Sequence, residues 1–87
     1  IVTDAKAENI QLKTTDTRAK YLRSLPLHRS QKEIASNLFE LHLVLTDDFI
    51  NAVRAMGTEV EVLSPKWLRK RLLQDAKDLV KKYSKKL

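Results

Sequence analysis

Apolar residues recur along this chain at two spacings, every second residue and every third or fourth, and the switches between them predict its elements. Residues 1–7 carry neither spacing and read as a linker. Ile10 and Leu12 alternate with Gln11 and Lys13, the pattern of a short strand with one buried face. Thr14, Thr15 and Asp16 are then placed to cap a helix, because their side-chain oxygens accept from the free N–H groups of a first turn. The helix is expected to run through Leu25, with Leu22 and Leu25 inward, Tyr21 at the edge, and Asp16 and Lys20 paired outside. Pro26 ends it, since proline disfavours helical geometry in the residue before it. Leu27 to Ser30 form a connector, Gln31 to Ala35 a weak strand, and Ser36-Asn37 a tight turn in which asparagine tolerates positive φ.

The clearest strand follows, with Phe39, Leu41, Leu43 and Leu45 on one face and Glu40, His42 and Val44 on the other. Thr46, Asp47 and Asp48 cap a second helix and place acids at its positive end. Its inner face is Phe49, Ile50, Val53 and Met56, and Gly57 closes it in the left-handed position past a helix end. Thr58 to Leu63 alternate again, Val60 and Val62 inward and Glu59 and Glu61 outward. Ser64-Pro65 predicts a helix start with serine as cap and proline in the first turn, where a missing N–H costs nothing. At 100° per residue, Leu68, Leu72, Leu73, Ala76, Leu79, Val80 and Tyr83 make one broad apolar stripe. Lys66, Lys70, Lys77 and Lys81 make a second stripe on another side, and Arg71–Asp75 and Asp78–Lys82 are spaced to pair.

The order strand, helix, strand, strand, helix, strand, helix predicts an α+β domain. Its expected form is a ferredoxin-like βαββαβ antiparallel sheet with an additional long C-terminal helix, over residues 8–87. That last helix needs a surface of its own: the open face of the sheet, a partner subunit or a neighbouring domain.

Length and charge narrow the function. Eighty-seven residues make one small domain, with room for a single core. There is no cysteine, which removes disulfides and thiolate metal sites and is neutral to favourable for a reducing cytoplasm. No apolar run reaches the roughly 20 residues that span a bilayer, so no membrane partner is expected. The chain starts at Ile1, without a methionine, as expected of a piece cut from a larger protein or of a chain whose methionine is removed by processing. The net charge of +6 is uneven: from Pro65 onward nine basic residues face two acidic ones, so this part carries +7 and the first 64 residues −1. Basicity therefore belongs to the last helix, either as a field for an anionic partner or as a solvated face.

Catalytic chemistry has no foothold. Glu59 and Glu61 share a strand face, but nothing positions a nucleophile or substrate between them. One glycine excludes a glycine-rich phosphate loop. His28 and His42, far apart and without cysteine, do not make a zinc site. Neither a cofactor nor a metal is expected, and His42 reads as a solvated or helix-covered residue. The lysine stripe could track a phosphate backbone, but lacks interleaved aromatics for base stacking, Tyr83 lying on the apolar side. Trp67 stands away from the apolar stripe, so it either packs over the chain before it or anchors an interface.

The segment Gly57 to Arg69, with Val60-Glu61-Val62-Leu63 before Pro65, Trp67, Leu68 and Arg69, resembles the end of WYL-domain bacterial transcriptional regulators. Ile10 to Lys13, the helix of Arg18 to Leu25, and the connector Leu27-His28-Arg29-Ser30-Gln31 are similar to that family's strand, helix and connector, so the resemblance spans about Glu8 to Tyr83. It covers the C-terminal extension of such proteins. Trp67-Leu68 is not the WYL motif itself, and both the WYL domain and the helix-turn-helix that binds promoter DNA lie outside this chain. The resemblance implies a non-catalytic, cytoplasmic module that dimerises and relays an effector signal. Its implied partners are a second copy, the WYL domain of the same protein, and single-stranded nucleic acid or another anionic effector. His28 and Arg29 would then line a groove shared with the WYL domain and touch the effector, arginine offering a planar fork to phosphate. An exposed polar turn is the alternative. Trp67, Leu72, Leu79 and Tyr83 are the candidate interface, and Lys66, Lys70, Lys77 and Lys81 the candidate nucleic-acid contacts. A stand-alone nucleic-acid binder and a small-molecule sensor on the same architecture remain as rivals.

Overall fold

The computed structural model describes residues 6–85; most of the segment assigned as linker and the last two residues of the lysine-rich tail lie outside that range. The elements are β1 (Glu8–Thr14), α1 (Asp16–Ser24), β2 (Lys32–Ala35), β3 (Leu38–Leu43), α2 (Asp47–Ala55), a single 3-10 turn (Gly57–Glu59), β4 (Val60–Ser64) and α3 (Lys66–Tyr83). The class is α+β, as predicted: one four-stranded antiparallel sheet and three helices, the last of them long. Strands lie in the order β2-β3-β1-β4, so the first strand is central.

Local chemistry sets most of the boundaries. Thr15 caps α1 and Thr46 caps α2, each with its hydroxyl accepting from the backbone three residues on. Asn37 at φ 61° turns β2 into β3, and Gly57 at φ 60° takes the chain out of α2. The glycine faces open space, so it is required there by backbone conformation and not by crowding.

The sheet packs one face against the helices. Ile10 and Leu12 from β1, Phe39 and Leu41 from β3, and Val62 from β4 are buried with Ala19 and Leu22 of α1 and Phe49, Ile50 and Val53 of α2. The opposite face is polar. Gln11 donates to Glu40 at 3.3 Å, and the His42 ring bonds Asn9 at 2.7 Å. Leu68 and Leu72 of α3 do not pack on that face. Instead Leu68, fully buried, and Leu72, half-buried, join the core formed with α1 and α2.

Four expectations need correction. Leu25 is exposed, because α1 stops at Ser24 and the chain turns away before Pro26. Ser64 is the last residue of β4 and does not cap α3; Pro65 holds the cap position, with no side-chain cap bond. Asp16 is taken by the Asn37 amide at 2.5 Å, not by Lys20. Within α3 neither predicted pair forms: Asp75 binds Arg54 of α2, and Asp78 accepts from Gln74.

Candidate functional site

The connector after α1 is held by its own side chains. Gln31 donates to the Leu22 carbonyl and accepts from the Leu27 N–H, both at 2.9 Å, satisfying a free carbonyl at the helix end. The Ser30 N–H donates to Nδ1 of His28 at 3.1 Å. That nitrogen is therefore an acceptor, and the Ser30 hydroxyl donates to it at 2.8 Å. The same hydroxyl accepts from the His42 backbone N–H at 2.9 Å, which ties the connector to β3. His28, Ser30 and Gln31 thus form a clip. Arg29 is the member left outside it, exposed and without a hydrogen-bond or ion-pair partner among the described residues.

Next to the clip, Arg23 of α1 grips Glu33 of β2 through two hydrogen bonds of 2.8 and 2.7 Å. Glu33 also accepts from the Asn37 N–H. The Arg23 guanidinium first, and the backbone bond second, bring the Glu33 carboxyl down to about 2. The arginine is correspondingly raised, its bond to Glu33 being the main cause.

Glu59 and Glu61 are both engaged by arginines. Glu59 pairs with Arg18 at 2.6 Å, and Arg18 also lies over the Tyr21 ring at 5.5 Å. Glu61 pairs with Arg69 at 2.9 Å. Among the described residues no group of three His, Asp or Glu side chains is placed to hold a metal ion.

The remaining candidates lie on α3. Trp67 is 44 % exposed and donates its indole N–H to Glu8 at 2.9 Å, which ties it to the start of β1. Arg69 also donates to the Val62 carbonyl, and Arg54 reaches Asp75, so α3 is fastened to β4 and α2 through its first half. Beyond Asp75 no hydrogen bond ties it to another element among the described residues. Leu79, Val80 and Tyr83 are exposed there, Tyr83 at 71 %, and Leu73 is exposed just before Asp75. Of the four candidate interface residues, Leu72 is thus partly used by the domain's own core, while Trp67, Leu79 and Tyr83 present surface. Lys66, Lys70, Lys77 and Lys81 are all exposed and form no ion pair among the described residues.

Where α3 stands off from α2 and β4, a groove of about 520 Å³ opens. Val53, Val60, Val62, Leu72, Ala76 and Leu79 give it a mainly apolar lining, and Arg54, Asp75, Glu61 and Arg69 also lie along it. Sequence reasoning missed it, because both apolar walls read simply as core-facing stripes. The fastening of Asp75 to Arg54, 21 residues away, carries no local signal.

No helix among the described residues is long and apolar enough to cross a membrane. The family model of the WCX domain matches residues 6–80 of the chain. No curated protein and no solved structure matches it.

Proposed function

The chain belongs to the WCX domain family, the C-terminal domain of WYL-containing regulators, and from that premise we propose that it is a non-catalytic module through which two regulator subunits pair and an effector signal is relayed. The ferredoxin-like description is part of this reading, supported by the strand order β2-β3-β1-β4 with α1 and α2 contributing to one core. The regulator's WYL domain is its partner in the same protein, promoter DNA is read by a domain outside this chain, and the cytoplasm is where such a protein acts.

One observation carries the pairing: Leu79, Val80 and Tyr83 form an apolar face on α3 beyond the point where the helix leaves its own core. A helical face of this kind loses free energy in water and gains it against a matching face. A second copy supplies that match by symmetry. The test is sedimentation velocity on the 87-residue chain across the micromolar range. Wild type is expected to show a concentration-dependent dimer, and Leu79→Glu/Tyr83→Glu to remain monomeric with unchanged helical signal. A dimer that survives the double substitution places the interface elsewhere.

Arg29 supports an accompanying reading, in which the connector contacts an anionic effector such as single-stranded nucleic acid. The clip leaves this guanidinium facing outward, where its fork can meet a phosphate. Anisotropy of a labelled single-stranded oligonucleotide checks it. Binding that persists at near-physiological salt and weakens in Arg29→Ala supports the contact; binding confined to low salt reduces the cationic surface to a non-specific field.

A further inference from the structure

The groove between α3, α2 and β4 has the dimensions of a ligand site. Its volume of about 520 Å³ falls inside the span of roughly 300–1,000 Å³ typical of small-molecule pockets. Its charged residues come in matched pairs. Arg54 is bound to Asp75 at 2.6 Å, and Arg69 to Glu61 and to the Val62 carbonyl, each at 2.9 Å. The two cations and two anions along the groove cancel, so its charge favours neither an anion nor a cation. The Arg54–Asp75 pair also links α2 to α3 along the groove.

We propose that this groove binds an uncharged, mainly apolar small molecule of about two or three fused or linked rings, or an aliphatic compound of similar bulk. Such a ligand packs against Val60, Val62 and Leu72 and leaves both ion pairs intact. Leu79 lines the groove and is also exposed on α3, one residue before Val80. Occupancy therefore sets how the last turns of α3 stand against α2, and with them the face formed by Val80 and Tyr83. A ligand with different affinity for the paired and unpaired chain shifts the balance between them, and pairing alters its affinity in return. Calling the ligand an effector rests on the relay reading above; its binding does not. The groove shares no residue with the His28–Arg29 connector.

The experiment is a fluorescence titration of the 87-residue chain with N-phenyl-1-naphthylamine, a neutral probe that brightens in apolar surroundings. The charged counterpart, 1-anilinonaphthalene-8-sulfonate, is run beside it. Ala76→Phe fills the groove from an exposed helical position, and Val80→Ser/Tyr83→Ser strips the outer face without touching the lining. The neutral probe is expected to bind saturably, one per chain, more tightly than the sulfonate. Its affinity should fall at least about tenfold in Ala76→Phe and change far less in Val80→Ser/Tyr83→Ser, where only any coupling to pairing is lost. If Ala76→Phe loses its helical signal, Thr58→Phe fills the groove from the opposite wall and is read in the same way. No saturable binding, tighter binding of the sulfonate, or loss only in Val80→Ser/Tyr83→Ser overturns the proposal. Sedimentation velocity on the same samples keeps the two ideas separate. A monomeric wild type that binds the probe ends the pairing reading alone, and a dimer that ignores the probe ends the groove proposal alone.

Discussion

Arg54 on α2 donates two hydrogen bonds to one carboxylate oxygen of Asp75 on α3, at 3.0 and 2.6 Å, and among the described residues this is the last polar tie between α3 and the rest of the domain. Both side chains are more than a third exposed, so solvent screening limits the pair to about 0.5 kcal/mol. Asp75→Asn should therefore lower the melting temperature only slightly, by about 3 °C for a domain of this size. Amide exchange should show a larger, local effect. Protection from Ala76 to Tyr83 should fall while that around Leu68 holds. Equal loss along the whole helix would mean that the pair is not a boundary between an anchored and a free half.

Leu68 tests the anchored half directly. It is fully buried in the common core, whereas Val80 on the same helix is 63 % exposed. Leu68→Ala should cost about 2–5 kcal/mol in urea denaturation, a large share of the roughly 5–15 kcal/mol that holds a domain folded. Val80→Ala should stay within about 0.5 kcal/mol. Similar costs at the two sites would contradict the packing of α3 on its own core.

Glu33 sets a pH dependence. Its carboxyl is held at about 2 in the folded chain, against 4.5 ordinarily. The unfolded chain therefore takes up this proton first as pH falls. The contribution of Glu33 is complete above about 4.5, declines below it, and is gone once the folded carboxyl protonates near 2. Urea midpoints of wild type and Glu33→Gln should differ at neutral pH and converge between those two values. A difference unchanged down to pH 2 would show that the Arg23 contact does not act through charge.

How far the sequence carries is clearest residue by residue. The alternation through Phe39 and Leu41, the caps Thr15 and Thr46, and the turns at Asn37 and Gly57 are decided within a few residues, and all were legible. Asp75 was not, because its spacing to Arg71 suits a helical pair and only the packed structure brings Arg54 nearer. The indole of Trp67 meets Glu8 across 59 residues, a partner no local pattern names. Ser64 misled for a related reason: a serine before proline suits a helix cap, but pairing with Gln11 claimed it for the sheet. The clip of His28, Ser30 and Gln31 gives the connector motif a physical content that the resemblance alone did not supply.

The central place of β1 also has a kinetic side. The first strand of the sheet is flanked by β3 and β4, whose pairing with it begins at Leu38 and ends at Ser64. A chain emerging from the ribosome thus holds β1 unpaired on one edge until nearly three-quarters of the domain has been made, and the sheet closes only when the VEVL segment arrives. Contacts so distant along the chain must meet their loop-closure cost before they reward it, so assembly of this small domain is governed by its late strand.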